Sequence, residues 1–349
     1  MSGRGPAPVP VVLVLRALGL GDLLTAVPAL RGLHDAFPHH RLVLATPAGL
    51  APLVRLTGAV DGIVDTAGLG PLPAALAGPD VAVNLHGRGP ESHRRLLALA
   101  PRRMIAFGNE HVAVGGPQWR DDEHEVARWC RLLTEHGIPA DLARLDLSSP
   151  GPPLPGREGV TIIHPGAASA SRRWPADRWA EVGRELRRDG HRVVVTGARS
   201  ELQLAERVAA GAGVPGDDVL AGRTDLLTLA RLVAGAGLLL SGDTGVAHLA
   251  TALATPSVVL FGPVPPSEWG PPPDRPWHRA LWAGRRGDPH GTTVDPGLRE
   301  LRVAEVLEAV DGQTPWRRSG REPLDAATGT RSRPARRAEA RRAGPEMTL

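Results

Sequence analysis

Short apolar runs alternate along most of the chain with longer segments whose apolar residues recur at helical spacing. Continuous apolar runs of this length are typical of strands that are covered on both faces, and the spaced stripes are typical of helices that pack on a sheet. In the first half the predicted strands are Val9–Leu15, Arg41–Ala45, Gly62–Thr66, Asp80–Leu85 and Met104–Phe107. This alternation predicts a parallel sheet with helices on both faces.

The second half repeats the pattern after a segment rich in Pro and Gly. Its predicted strands are Val160–Ile163, Arg192–Thr196, Val219–Leu220, Leu238–Leu240 and Ser257–Phe261. A last helical stripe, Leu301–Val310, is predicted to pack back on the first half. The fold class expected is α/β, with two doubly wound, Rossmann-like domains that face a central cleft.

The domain boundaries follow from these shifts in composition. We expect a disordered N-terminus at 1–8, a first domain at 9–147, a Pro/Gly linker at 148–159, a second domain at 160–312 and a disordered Arg-rich tail at 313–349.

The first of two informative turns is Gly19-Leu20-Gly21-Asp22, between a predicted strand and a helical stripe. Asp22 lies near the start of that helix, where the helix dipole favours a negative charge. A carboxylate at the edge of a crevice accepts a proton from a hydroxyl group that a substrate places within about 3 Å. The alternative is that Asp22 only caps the helix.

The second turn, Ser241-Gly242-Asp243-Thr244-Gly245-Val246-Ala247-His248, also leads from an apolar run into a helical stripe. Backbone N–H groups at Thr244 and Gly245 would point outward at the helix start, which is a suitable seat for a pyrophosphate. His248 would add a donor if it faces the ligand, and otherwise it is a structural residue.

Details of these turns argue against a dinucleotide-binding enzyme and against an aspartic protease. Leu24 stands where a dinucleotide fingerprint needs its third glycine, and Ala45-Thr46-Pro47 lacks the acid that would hold a ribose. Asp-Thr-Gly occurs once, whereas an aspartic protease needs two carboxylates that share a proton.

Charge is distributed unevenly along the 349 residues, of which 42% are hydrophobic and 22% charged. The segment 313–349 holds nine Arg against four acidic residues, so the rest of the chain is close to neutral. We therefore expect no nucleic-acid partner, and at most a peripheral contact between the tail and the inner membrane surface. The single Cys130 is expected in the core, and the apolar N-terminal run is broken by Arg16, which favours a cytoplasmic protein over a secreted one.

Three motifs in order resemble glycosyltransferase family 9, the ADP-heptose:lipopolysaccharide heptosyltransferases. They are Leu18–Leu30, His164-Pro165-Gly166-Ala167 followed by Arg172-Arg173-Trp174-Pro175, and Ser241–Leu249. The resemblance implies a GT-B fold with an acceptor domain followed by a nucleotide-sugar domain. It also implies inverting transfer without a metal ion or other cofactor, from a nucleoside-diphosphate sugar to a hydroxyl group of a cell-envelope saccharide or glycolipid such as the lipopolysaccharide core.

Carried over by position, the resemblance makes Asp22 the catalytic base. The donor would be bound by Ala167, Ala168, Arg172, Glu201, Asp243, Thr244, Gly245 and His248, with ADP-heptose as the first candidate. Gly21, His86 and Arg88 are the candidates for contact with the acceptor, and His86 and Arg88 could equally be ordinary loop residues.

Several positions depart from the family pattern. Arg172 replaces a common Lys, Ala167 and Ala168 lack hydroxyl groups that some members have, and Arg199 stands near the place of a Glu, with Glu201 as the nearest substitute. Two alternatives therefore stay open. One is a sugar-nucleotide epimerase or hydrolase on the same fold, and the other is a nucleotide-sugar-binding protein that has lost turnover.

Overall fold

The computed structural model describes residues 9–313. The predicted disordered segments, 1–8 and the tail beyond residue 313, lie outside the described residues. No helix within 9–313 is long and apolar enough to cross a membrane.

The first half of the described chain forms a five-stranded parallel sheet in the order β3-β2-β1-β4-β5. Its strands are β1 (Val11–Leu15), β2 (Arg41–Thr46), β3 (Gly62–Asp65), β4 (Val81–Asn84) and β5 (Arg103–Ile105). Its helices are α1 (Leu20–Thr25), α2 (Val27–Ala36), α3 (Ala51–Leu56), α4 (Glu91–Leu97) and α5 (Glu125–Glu135).

The second half forms another five-stranded parallel sheet, in the order β10-β9-β8-β6-β7. Its strands are β6 (Thr161–His164), β7 (Val193–Val195), β8 (Leu238–Gly242), β9 (Ser257–Phe261) and β10 (His278–Trp282). Its helices are α6 (Ala176–Arg188), α7 (Leu202–Ala212), α8 (Leu226–Gly235), α9 (Gly245–Ala252), α10 (Pro266–Trp269), α11 (Pro296–Glu300) and α12 (Val303–Asp311). The two sheets confirm the expected fold class.

The order of the strands explains where a ligand site forms. In the first sheet β1 lies between β2 and β4, so the connections that leave β1 and β4 diverge to opposite faces and open a crevice at their carboxyl ends. In the second sheet the same divergence occurs between β6 and β8. The turns after β1 and β8 are the two that the sequence singles out, and each begins at such a crevice.

The hydrophobic core is continuous between the two halves. One cluster of buried residues joins Val12 and Leu30 of the first half to Leu239 and Leu249 of the second. Cys130 is buried as predicted, in a small cluster with Val126 and Leu145. Because α1 and α9 contribute to the shared cluster, the halves pack against each other next to the two turns.

Some predicted elements differ from the observed ones. The prediction for Leu301–Val310 is wrong, because Leu301, Val306 and Val310 pack in the second half against Ile163 and Leu260. The predicted strand Val219–Leu220 is a single bridge between Val195 and Val219. The apolar spacing of these segments is compatible with several partners, and only the tertiary fold chooses between them.

The helix predicted to begin at Asp22 is two helices. The first, α1, begins at Leu20, and Pro28 lies in the first turn of α2, which follows directly after Ala26. Proline is compatible with a first turn but interrupts a helix interior, which explains the break. Strand β10 was not predicted, because His278 and Arg279 break its apolar run.

The segment where the chain passes from the first half to the second is held by several hydrogen bonds. Arg275 donates two hydrogen bonds to the carboxylate of Asp146, at 2.8 and 3.0 Å, and another to the carbonyl of Thr251 in α9, at 3.0 Å. The N–H of Leu147 donates to the carbonyl of Ala252, at 2.8 Å. The end of the first half is therefore bonded directly to α9.

We expect Arg275→Met to lower the free energy of unfolding by about 1.5–3 kcal/mol, because it removes charge-assisted hydrogen bonds and leaves the Asp146 carboxylate in a mostly buried place. Urea unfolding followed by tryptophan fluorescence measures the effect. Arg102→Met is the matched control, since Arg102 is 82% exposed and lies 3.5 Å from Asp80. Equal losses in the two variants would contradict a special role for the Arg275 pair.

Candidate functional site

A cleft of about 770 Å³ lies between the carboxyl ends of the two sheets. Its volume is within the range of pockets that hold ligands of nucleotide-sugar size. Ten of the residues predicted from the sequence line it, and they come from both halves. They are Gly21, Asp22, Ala167, Ala168, Arg172, Glu201, Asp243, Thr244, Gly245 and His248.

Asp22 occupies the first turn of α1 with its side chain 28% exposed. Its Oδ2 accepts a hydrogen bond from the N–H of Gly19, at 3.2 Å. Its Oδ1 lies 3.6 Å from Nη2 of Arg16. The carboxylate therefore does cap the helix through one oxygen, while the other oxygen stays close to a positive charge at the edge of the cleft.

Arg16 directly follows β1 and is 1% exposed. Its Nε donates to the carbonyl of Asp22, and its Nη1 donates to the carbonyl of Leu85. Its Nη2 donates to Oγ1 of Thr25 at 3.1 Å and to Oε1 of Glu125 at 3.0 Å. One guanidinium thus joins β1, α1, the end of β4 and α5.

Glu125, at the start of α5, holds the other side of this guanidinium. Its Oε1 also accepts from Nε1 of Trp129, at 2.8 Å, and its Oε2 accepts from Arg128. Burial alone would raise the pKa of Glu125, but the Arg16 and Arg128 charges and these hydrogen bonds hold that pKa below its usual value. Glu125 is therefore a charged partner inside the protein.

The second turn lies at the start of α9, with Thr244 as its N-cap in an extended conformation. The first N–H groups of a helix have no partner within it, so the start of α9 presents donors and the positive end of the dipole to the cleft. Arg172 adds a full charge beside them, with Nη1 at 3.7 Å from Oδ2 of Asp243. This arrangement can bind a diphosphate.

Asp243 is almost completely buried next to Arg172. Burial raises the pKa of Asp243 to about 6, against the opposing effect of the Arg172 charge. Its protonation state therefore changes within the range of ordinary assay pH.

His248 faces the same cleft from the second turn of α9. Burial lowers the pKa of His248 to about 4, and the nearby His124 contributes to the lowering. Its ring meets the ring of Trp269 edge to face, with the centroids 5.8 Å apart. His248 is therefore neutral at physiological pH and can still donate or accept a hydrogen bond.

Two glycines allow the starts of α1 and α9 to touch each other at the cleft. A Cβ atom at Gly245 would lie 2.8 Å from Cβ of Leu20 and 3.0 Å from the backbone nitrogen of Gly21. A Cβ atom at Gly21 would lie 3.0 Å from Cδ2 of His248. Backbone therefore packs on backbone where α1 and α9 meet, and this close approach sets Asp22 beside the start of α9.

Glu201 is held at the far side of the cleft from α1. Its Oε2 accepts from the N–H of Ala198, at 2.8 Å, and lies 3.9 Å from Nε2 of His164. Its carboxylate fills the space beside Gly166, where a Cβ atom would lie 2.2 Å from Cδ of Glu201. Burial lowers the pKa of His164, so this histidine favours its neutral form.

Two predicted residues lie outside the lining of the cleft. Nδ1 of His86 accepts from the N–H of Ala17, at 3.2 Å, and Arg88 lies 3.8 Å from Asp121 on the surface. Both follow β4 and therefore share the carboxyl edge with Asp22, as the strand pattern predicts. Their contact with an acceptor stays a prediction.

Sequence reasoning missed several cleft residues and the support behind them. Arg16 and Glu125 were not predicted, and neither were Glu268 and His290, which line the rim. A charged residue that ends a buried apolar strand was the available signal for Arg16, since it needs a buried partner. Within residues 9–313, no group of three or more His, Cys, Asp or Glu side chains is arranged to hold a metal ion.

Comparisons with known proteins show which proteins this chain is similar to. Residues 119–285 match the family model for glycosyltransferase family 9 (heptosyltransferase). A lipopolysaccharide heptosyltransferase 1 of Pseudomonas aeruginosa is 32% identical over 117 residues, which cover 33% of this chain and 32% of that protein. The chain thus aligns with about a third of that relative's length.

A longer alignment links the chain to lipopolysaccharide heptosyltransferase 1 of Salmonella typhimurium, which is 25% identical over 290 residues. It covers 73% of this chain and 89% of that protein. Among solved structures, ADP-heptose lps heptosyltransferase II of E. coli has a TM-score of 0.70 at 20% identity, over 86% of this chain and 98% of that one. This likeness confirms the GT-B fold expected from the sequence.

The pKa of Asp243 allows a test of whether the start of α9, beside Arg172, binds a diphosphate. An anion beside Asp243 favours its protonated form, so we expect a nucleotide sugar to bind several-fold more tightly at pH 5.5 than at pH 7.5, around the pKa of about 6. Calorimetric titration with an ADP-sugar measures this, since its phosphodiesters do not titrate in that range. Asp243→Asn should remove the pH dependence, and an unchanged dependence in that variant would contradict the assignment.

Proposed function

We propose that the chain is a member of glycosyltransferase family 9, whose family model its residues 119–285 match, and that it transfers a sugar from a nucleoside-diphosphate donor to a hydroxyl group of a cell-envelope saccharide or glycolipid. The supporting observation is that Asp22, from the first half of the chain, and the start of α9, from the second half, line the same cleft. A carboxylate that can accept a proton and a seat that can accept a diphosphate are the two groups that a direct displacement needs.

The proposed reaction is a single displacement with inversion. Asp22 takes the proton of the acceptor hydroxyl as that oxygen attacks the anomeric carbon of the donor sugar. The bond between this carbon and the diphosphate oxygen breaks on the opposite face, and the diphosphate leaves with the electron pair. Arg172 and the N–H groups at Thr244 and Gly245 stabilise the charge that develops there.

Metal independence is part of the proposal. The support for it is that Arg172 and the positive end of α9 supply positive charge at the cleft, where the donor diphosphate is proposed to bind. Arg172 keeps the charge of the lysine common in the family, and its planar fork can contact two phosphate oxygens at once.

The nucleoside would lie towards Glu201, with ADP-heptose as the first candidate donor. Glu201 accepts a hydrogen bond from the N–H of Ala198 and packs against Gly166, so its carboxylate is oriented before a ribose arrives. Ala167 and Ala168 line the same cleft and are proposed to contact the donor phosphates. We assign 160–312 as the donor domain and 9–147 as the acceptor domain, joined by 148–159.

On the acceptor side the proposal keeps Gly21, His86 and Arg88 near the incoming saccharide. A cytoplasmic enzyme that touches the inner membrane surface through its Arg-rich tail remains a prediction, since most of that tail lies outside the described residues. The epimerase or hydrolase and the inactive binding protein are not favoured by the family match.

We expect Asp22→Asn to lower kcat by about 100-fold or more, since general bases contribute roughly 10²–10⁴-fold. The rate at which sugar passes from the donor to the acceptor is measured by mass spectrometry of the product. Calorimetry checks that the donor still binds. Asp177→Asn is the control, because Asp177 also lies in the first turn of a helix but outside the cleft. Near-normal turnover by Asp22→Asn would defeat the proposed mechanism.

A thermal-shift panel of nucleoside diphosphates tests the donor. A specific ligand at 100 times its Kd stabilises the protein by about 2.7 kcal/mol, so the correct base should stand out. We expect ADP and ADP-sugars to raise Tm more than the corresponding UDP, GDP and CDP compounds. A larger shift with another base would overturn adenine as the base of the donor while leaving the transfer mechanism untouched.

A further inference from the structure

We propose that Arg16 is a positioning residue that holds the Asp22 carboxylate ready for the acceptor hydroxyl, and that Glu125 fixes Arg16 in that place. The inference rests on the proposed function, in which Asp22 is the base. It concerns the support behind the cleft, because Arg16 is buried beneath α1 and does not line the cleft.

The contacts of Arg16 explain how it can orient Asp22 without blocking it. Its Nε binds the backbone carbonyl of Asp22, and its Nη2 binds Thr25 at the end of the same helix. These bonds hold α1 at two positions, in its first turn and at its last residue. The Oδ1 of Asp22, at 3.6 Å from Nη2, is beyond hydrogen-bond distance and keeps its lone pairs for a substrate.

Burial makes this arrangement depend on Glu125. A guanidinium at 1% exposure costs several kcal/mol unless it is paired and hydrogen-bonded. Glu125 supplies a carboxylate at 3.0 Å, and the ring of Trp129 lies 4.8 Å from the guanidinium carbon. The guanidinium groups of Arg16 and Arg128 face the carboxylates of Asp22 and Glu125. The net charge of this cluster is therefore zero when Asp22 is ionised.

The geometry requires arginine in particular. The acceptors of Arg16 lie in three directions, on α1, on the end of β4 at Leu85 and on α5. A planar fork reaches all three, whereas a lysine ammonium is a single point at the end of its stem. Arg16→Lys therefore keeps the charge but loses part of the fixation of α1.

A double-mutant cycle separates positioning from simple stabilisation. We expect Arg16→Lys to lower kcat about tenfold, with KM values and the Kd for ADP within about twofold. In the Asp22→Asn background the same change should alter the residual kcat by less than about twofold, because the group it positions is already absent. A purely structural Arg16 would lower kcat by the same factor in both backgrounds.

Arg131→Lys is the matched control. Arg131 is also a largely enclosed arginine on α5, with its side chain 15% exposed, but it donates to the carboxylates of Glu123 and Glu135 and to the carbonyl of Gln118, outside the cluster of Arg16 and Glu125. We expect this variant to lower Tm while kcat changes by less than about threefold. Equal losses of kcat in Arg16→Lys and Arg131→Lys would overturn the inference.

Glu125→Gln covers the case in which Arg16→Lys fails to fold. It keeps the size of the side chain and an oxygen for Arg16 and Trp129, and it should lower kcat several-fold only while Asp22 is present. Wild-type kcat in every folded variant at these two positions would refute the role of Arg16. Full activity of Asp22→Asn alone would instead refute the proposed base, so the two failures are distinguishable.

Discussion

The contact between the starts of α1 and α9 is the constraint on which the cleft depends. Gly21 and Gly245 let two backbones meet where any side chain would hold them apart. Because each helix follows a central strand of its own sheet, this one contact brings the crevices of both sheets together. Asp22 and the N–H groups of α9 face a common space for that reason.

Buried arginines carry out a second organising task in this protein. Arg16 joins β1 to α1, β4 and α5, and Arg275 joins Asp146 to α9. The half-buried Arg31 does the same from α2, where it donates to the carbonyls of Thr57, Arg144 and Asp146. Each guanidinium donates to acceptors from separate segments, so these segments are fixed by charge-assisted hydrogen bonds as well as by apolar packing.

The sequence predicted the parts of the site that depend on local order along the chain. Asp22 and Thr244 follow directly from strand-to-helix turns, and their meeting in one cleft follows from the rule for parallel sheets. The pairing of Arg16 with Glu125 joins residues 109 positions apart, and no periodicity encodes it. The placement of Leu301–Val310 failed for a similar reason, since an apolar stripe shows that a helix packs but does not show on what.

The crossing between the halves limits how the protein can move. Leu147 is bonded to α9 and Ser148 to the carbonyl of Leu56, so the chain is anchored to both halves at successive residues. A rotation of one half against the other that keeps both bonds must therefore turn about an axis close to Leu147 and Ser148, and a rotation about any other axis breaks at least one of them.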